Sequence, residues 1–142
     1  FSAMSILYGC SDLMYKIYCD GASRSNPGEA SIGVSITKET KEIEFIAQKI
    51  GIATNNVAEY ESLRAALEYC VQNNISEASI FLDSLLVVQQ VNEKFKVKSD
   101  NLKELYSKCK KLMKQINNLE IHHVRRELNK RADELANIAL DS

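Results

Sequence analysis

The sequence has 142 residues, of which 45% are hydrophobic and 26% charged, and its formal net charge is −1. This length gives room for one domain with one sizeable core, and the composition is that of a globular protein. A near-neutral charge excludes a protein that binds nucleic acids through an overall positive charge. Residues 1–14 lack the pattern of a secretory signal, and no apolar run is long enough to cross a bilayer. We therefore expect a cytoplasmic protein without membrane association.

The charge is unevenly distributed along the chain. Residues 94–114, called here the lysine segment, contain eight lysines and only two acidic residues, Asp100 and Glu104. A local basic segment fits a surface that follows nucleic-acid phosphates, but it also fits the solvated face of an amphipathic helix. The sequence leaves both interpretations open.

Four cysteines, Cys10, Cys19, Cys70 and Cys109, lie far apart and form no Cys-x-x-Cys pair. This spacing fits neither a zinc ribbon nor a thioredoxin-like motif. Free, buried thiols in a reducing compartment are the simplest expectation.

The first half of the chain has the alternating pattern of strands. We treat residues 1–14 as an N-terminal extension or a cloning remnant and predict one domain over residues 15–142. Within it, alternation predicts strands at residues 15–19, 31–37 and 43–50, with a turn-rich loop at residues 21–28. Short connections make these strands an antiparallel meander.

The second half changes to the period of helices. Asn55 or Asn56 is the expected N-cap of a first helix. Further helices are predicted at residues 85–92, 102–116 and 129–140, and strands at 78–82 and 119–124. The alternation of strands and helices predicts an α/β fold with a mixed sheet and helices on both faces.

Four acidic residues stand where predicted strands end or helices begin: Asp20, Glu59, Asp83 and Asp133. Ligand sites in open α/β sheets collect at the carboxyl ends of parallel strands, so Asp20 and Asp83 should lie side by side there. Two such carboxylates repel each other unless a cation lies between them, and oxygen ligands suit Mg²⁺ or Mn²⁺.

Each carboxylate also has a simpler interpretation. The pair Asp83-Ser84 could cap the following helix, and Glu59 and Asp133 could stabilise a helix dipole. Placement alone therefore leaves a shared metal site and separate structural roles as open alternatives.

Four motifs resemble those of type 1 ribonucleases H, in the same order, from residue 15 to about residue 140. The motifs are Tyr-Cys-Asp-Gly-Ala-Ser at residues 18–23 with Asn-Pro-Gly at 26–28, Thr-Asn-Asn-Val-Ala-Glu-Tyr at 54–60, Leu-Asp-Ser at 82–84, and Asn-Lys-Arg-Ala-Asp-Glu-Leu-Ala at 129–136. Each motif alone is weak, but four in sequence are specific.

The resemblance implies a ribonuclease H-like fold, a five-stranded sheet in the order 3-2-1-4-5 whose first three strands are antiparallel. It also implies an endoribonuclease that cuts the RNA strand of RNA–DNA hybrids and leaves 5′-phosphate and 3′-hydroxyl ends. Two Mg²⁺ ions, or Mn²⁺, would act with substrate bound. By this resemblance Asp20 would bridge both ions, Glu59 and Asp83 would help to hold one, and Asp133 the other.

The resemblance also assigns residues to the substrate. Asn26, Asn55 and Asn56 would contact the minor groove of the hybrid, and Thr54 a phosphate of the DNA strand. Amide side chains both donate and accept hydrogen bonds, which suits the 2′-hydroxyls that distinguish RNA from DNA.

Two departures from the family pattern matter. Many members carry a catalytic histidine in a loop before the last aspartate, but here His123 ends a predicted strand and Arg126 occupies the loop. We favour Arg126 over His123 as the helper and leave both open. The tryptophan-containing basic protrusion is also missing, since the chain has no tryptophan. The lysine segment could partly replace it.

The expected partner is the RNA–DNA hybrid; no protein partner is indicated, and a monomer is the default. Three alternatives remain: a non-catalytic nucleic-acid-binding module on the same fold, a retroelement ribonuclease H domain, or the core of a transposase or integrase. The full set of carboxylates argues against the first, and the Asn-rich motifs argue against the last.

Overall fold

The structure is a computed structural model that describes residues 14–142, and it contains one five-stranded sheet with helices packed against it. The strands are β1 (Tyr15–Ser23), β2 (Gly28–Lys38), β3 (Lys41–Ala53), β4 (Glu77–Leu82) and β5 (Asn118–His123). The helices are α1 (Asn55–Gln72), α2 (Leu85–Val91), α3 (Asp100–Met113) and α4 (Lys130–Asp141), and a 3₁₀ turn spans Arg126–Leu128.

The sheet has the strand order β3-β2-β1-β4-β5. The first three strands form an antiparallel meander, whereas β4 pairs in parallel with both β1 and β5. The predicted fold class, strand order and strand directions are therefore confirmed.

The two faces of the sheet are covered differently. Alternate residues of β1 and β2, such as Ile17 and Val34, are buried in a large apolar core with α1 and α3. On the other face α4 lies against β2 so closely that a Cβ atom at Gly33 would come 2.1 Å from the carbonyl oxygen of Ala132. Only glycine permits this approach.

The first strand is longer than predicted. The sequence predicts that it ends at Cys19 and that a loop covers residues 21–28, but β1 continues to Ser23. The reason is that β2 keeps pairing with it as far as Ala30, whereas parallel pairing with β4 stops at Cys19 opposite Leu82. Asp20 therefore lies just beyond the last parallel pair and is still held by an antiparallel neighbour.

The predicted N-cap of α1 was wrong. The cap is Thr54, whose Oγ1 accepts a hydrogen bond from the backbone N–H of Val57, so Asn55 and Asn56 are the first two helical residues. A hydroxyl at this position satisfies one of the free N–H groups of the first turn. The remaining helix and strand ends differ from the predicted ones by up to three residues.

Three cysteines, Cys19, Cys70 and Cys109, are buried free thiols. Cys10 and the predicted N-terminal extension, apart from Met14, lie outside the described residues. Between residues 14 and 142, every helix is too short or too polar to span a bilayer.

Candidate active site

Three carboxylates meet where the parallel pairing of β1 with β4 ends. One oxygen from each of Asp20, Glu59 and Asp83 lies within 4.8 Å of the others. Asp20 and Glu59 are almost entirely buried, with 6% and 9% of their surface exposed. Three acidic groups at this separation form a compact set of oxygen ligands.

A glycine brings Glu59 to the strand. The N–H of Gly21 donates a hydrogen bond to Oε1 of Glu59 at 3.1 Å. A Cβ atom at Gly21 would lie 2.2 Å from the carbonyl carbon of Ala58, so any other residue would push α1 away from β1. Glycine beside Asp20 is thus what allows the two carboxylates to approach.

Asp83 does not cap the helix that follows it. Ser84 is the N-cap of α2, and its Oγ accepts from the N–H of Val87 at 3.3 Å. The carboxylate of Asp83 instead accepts a hydrogen bond from Nδ2 of Asn129 at 3.2 Å. Of the pair Asp83-Ser84, only Ser84 therefore caps the helix, and the Asp83 carboxylate belongs to the cluster.

Asp133 approaches the same point from the first turn of α4. It lies close enough to Asp20 to raise the pKa of the Asp20 carboxyl group. It is not one of the three residues whose ligand oxygens lie within 4.8 Å of one another, but it lines the same cleft. All four predicted carboxylates are thus brought together.

The cluster strongly disfavours negative charge. Burial, followed by the charge of Asp83 and a hydrogen bond with Asp133, raises the pKa of Asp20 to about 8. Burial and then the charges of Asp20 and Asp83 raise the pKa of Glu59 well above its usual value, although the Gly21 N–H opposes this. A divalent cation would compensate this charge, and the all-oxygen donor set suits Mg²⁺ or Mn²⁺.

The cleft around the carboxylates has a volume of about 350 Å³. Arg126 lines it from the 3₁₀ turn. His123 is not among the residues that line it; it ends β5 as an exposed residue opposite Leu82. The positively charged side chain of Arg126, and not a histidine, therefore borders the carboxylates.

The four predicted substrate-binding residues gather at the start of α1. Asn55 lines the cleft, and its N–H donates to Oδ1 of Asn26 at 3.0 Å. Asn56 is exposed in the first helical turn, and Thr54 is the cap. Asn26 is thereby held beside the helix start with its amide nitrogen available.

One residue of the site, Asn129, is not indicated by the sequence pattern. Asn129 is 1% exposed and contacts both β1 and Asp83 through its side chain. A polar residue immediately before a helix normally indicates a cap, and nothing in the local pattern indicates that its side chain reaches two strands.

Comparison with known proteins places this geometry in a family. A family model described as reverse transcriptase-like matches residues 18–139. A bifunctional protein of Mycobacterium tuberculosis is 40% identical over 128 residues, which make up 89% of this chain but 35% of that protein. The chain thus spans about a third of the length of this relative.

Two solved structures match over nearly their whole length. Ribonuclease H1 of the archaeon Halobacterium salinarum has a TM-score of 0.87 and 36% identity, covering 90% of this chain and 98% of that one. LC11 ribonuclease H1, isolated from compost, was solved in complex with an RNA/DNA hybrid; it has a TM-score of 0.84 and 42% identity, covering 89% and 96%. This chain belongs to the reverse transcriptase-like family and, within it, to the type 1 ribonucleases H.

Proposed function

We propose that this protein is an endoribonuclease that hydrolyses the RNA strand of RNA–DNA hybrids and leaves 5′-phosphate and 3′-hydroxyl ends. The observation that carries the proposal is the cluster of Asp20, Glu59 and Asp83, with ligand oxygens within 4.8 Å of one another. The relatives named ribonuclease H, one of them bound to an RNA/DNA hybrid, support the same activity.

The four carboxylates would hold divalent cations. We propose Mg²⁺, with Mn²⁺ as a substitute, and two ions when substrate is bound, which Asp20, Glu59, Asp83 and Asp133 would hold together. Such ions activate water and stabilise the leaving oxygen in phosphodiester hydrolysis. The protein would supply carboxylates on fixed strands and helices, two of them, Asp20 and Glu59, almost entirely buried, and a cleft that orients the scissile phosphate.

Residues at the start of α1 would recognise the hybrid. Because Oδ1 of Asn26 already accepts from the Asn55 N–H, its Nδ2 is left as a donor for an acceptor on the nucleic acid. Asn55 and Asn56 offer both donors and acceptors to 2′-hydroxyls and base edges of the minor groove. Thr54 would contact a DNA phosphate, since a capping hydroxyl still has its own proton to donate.

Arg126 would assist the reaction from the cleft wall. Its guanidinium cannot accept a proton, so its role would be to stabilise charge on the phosphate and help the product leave. His123 remains the alternative, although the end of β5 would have to move to bring it to the cleft. A monomeric state and a cytoplasmic location also stay predictions.

Cleavage of end-labelled duplexes tests the proposal. RNA–DNA hybrid, duplex RNA and duplex DNA of one sequence are incubated with Mg²⁺, Mn²⁺ or a chelator. We expect cuts in the RNA strand of the hybrid alone, and none with the chelator. A protein that binds the hybrid but cuts nothing with either metal would be the non-catalytic module instead.

A further inference from the structure

The Asn129 side chain lies at the junction of the elements that carry the carboxylates. Its Nδ2 donates to the backbone oxygen of Cys19 at 2.8 Å and to Oδ2 of Asp83 at 3.2 Å. Cys19 directly precedes Asp20 on β1, and Asn129 itself directly precedes α4, which carries Asp133. One buried amide group therefore connects β1, Asp83 and α4.

The orientation of this amide is unambiguous. Both groups that it faces are acceptors, so the opposite orientation would place Oδ1 against two oxygens without a donor. Oδ1 is buried and has no hydrogen-bond partner in the described part of the chain. The side chain thus satisfies the strand and the carboxylate while leaving its own oxygen unpaired.

Asn129 also stands at the start of α4, where its side chain could have capped the helix. Asn129 occupies the N-cap position, where asparagine commonly accepts a hydrogen bond from the first helical turn. Here the side chain makes no capping bond. The helix thus lacks a side-chain cap, and the buried Oδ1 of Asn129 lacks a donor in the described part of the chain. Both features reduce stability, and such losses are typical of functional positions.

We propose that Asn129 is a positioning residue that fixes the Asp83 carboxylate for the divalent cation, a role that rests on the proposed function. A hydrogen bond to one carboxylate oxygen sets the direction of the other, and such supporting bonds maintain the affinity of metal ligands. By bonding also to Cys19, Asn129 sets the separation between Asp83 and Asp20. It does not itself touch the metal or the substrate.

Thermal unfolding of Asn129→Ala at increasing Mg²⁺ concentrations tests this role. A ligand that binds the folded state raises the melting temperature, so the Mg²⁺ dependence of that rise reports metal affinity without any catalysis. We expect the variant to need about tenfold more Mg²⁺ than wild type for the same rise. In hybrid cleavage, kcat at low Mg²⁺ should fall and recover at high Mg²⁺, with KM for the hybrid unchanged.

The matched control is Asn118→Ala. Asn118 is an exposed asparagine whose Nδ2 donates to the Glu77 carboxylate at 3.0 Å, remote from the cluster. Its loss should leave the Mg²⁺ dependence unchanged. If Asn129→Ala does not fold, Asn129→Ser is the second variant: its hydroxyl is attached too close to the backbone to replace the bond from Nδ2 to Asp83, so it should show the same loss of Mg²⁺ affinity.

Two contrary results are distinguishable. If the Asn129 variants are less stable but respond to Mg²⁺ like wild type, the residue is structural only and the inference is overturned. If wild type itself shows neither a Mg²⁺-dependent rise nor hybrid cleavage, the proposed function fails, and the inference fails with it.

Discussion

At the scale of single residues, the Asp20 carboxyl group lies where ionisation is unfavourable. It is 6% exposed, and the carboxyls of Asp83, Asp133 and Glu59 surround it. Without a cation these groups oppose one another, so the protein holds a preformed site at the expense of stability. The same repulsion is what makes the site selective for positive charge.

This arrangement predicts a pH-dependent stability. The pKa of Asp20 is about 8 in the folded protein against 3.8 for an unperturbed aspartate, so the folded state retains a proton that the unfolded state has lost between those values. In chelator, the free energy of unfolding should therefore fall as pH rises from about 4 to 8. Asp20→Asn should flatten this decline and be more stable at pH 8 by about 1 kcal/mol or more.

Urea unfolding in chelator between these pH values provides the measurement. The control is Asp100→Asn, since the Asp100 side chain is 99% exposed and should leave the decline unchanged. Identical slopes for wild type and Asp20→Asn would contradict the account of Asp20. Added Mg²⁺ should reduce the decline in wild type because it compensates the ionised carboxylates.

The loop helper gives a second prediction at this scale. Arg126 lines the cleft and His123 does not. Arg126→Ala should therefore slow hybrid turnover by about tenfold or more, whereas His123→Ala should have a smaller effect. Steady-state rates at saturating Mg²⁺ decide between them, and the reverse order of effects would make His123 the helper.

The sequence motifs were sufficient to single out the four carboxylates, which stand at predicted strand ends or near helix starts. The motifs were not sufficient for Asn129. The function of its side chain depends on contacts with Cys19 and Asp83, which are 110 and 46 positions away along the chain. The pattern of neighbouring residues in the sequence cannot indicate contacts between positions so far apart.

At the scale of elements, the start of α1 combines stability and recognition. Thr54 caps the helix, Asn55 and Asn56 form its first turn, and Glu59 follows one turn later. A disturbed cap would therefore loosen both the hybrid-reading residues and one carboxylate. The sequence predicted the helix and its apolar stripe, but it placed the N-cap at Asn55 or Asn56, one or two residues after the observed cap, Thr54.

Substitutions at these positions separate the candidates for the cap. Thr54→Ala should reduce the free energy of unfolding by about 1 kcal/mol, because the Val57 N–H no longer has its acceptor. Thr54→Ser should retain most of the stability. Asn56→Ala is the control and should cost less; an equal loss would mean that Asn56 shares the capping role. Denaturant unfolding measures all three.

The extent of β1 shows why strand ends are harder to predict than strands. Alternation located the strand from Tyr15, but its end at Ser23 is set by pairing with β2. Because Asp20 and Gly21 are inside the strand and not in a loop, the carboxylate has a fixed direction. The residue pattern alone, Asp-Gly-Ala-Ser, is typical of a turn.

At the scale of the whole molecule, the lysine segment is the part of the surface whose role is still to be tested. Lys110 already makes hydrogen bonds within the protein, since its Nζ donates to the Val91 carbonyl and to Glu93, both at 2.8 Å. Lys94 and Lys96 instead line a cavity with Phe95, which is 50% exposed. Exposed lysines around an aromatic ring suit contact with a nucleic-acid backbone.

Salt dependence of hybrid binding tests this surface. The variant Lys94→Gln/Lys96→Gln should reduce the slope of log affinity against log salt by about 0.9 for each phosphate that a lysine no longer neutralises. The control Lys16→Gln/Lys41→Gln changes exposed lysines at the end of the sheet opposite Asp20. An unchanged slope in the first variant would leave the lysine segment as a solvated face.

The most direct test of the central claim is single-turnover cleavage of an RNA–DNA hybrid by wild type and Asp20→Asn, with binding measured in parallel. We expect wild type to cut the RNA strand with Mg²⁺ and to leave 5′-phosphate ends. Asp20→Asn should still bind the hybrid but cut it about a thousandfold more slowly or not at all. Cleavage by Asp20→Asn at the wild-type rate, or undiminished cleavage by wild type in chelator, would contradict a hydrolytic site built on these carboxylates.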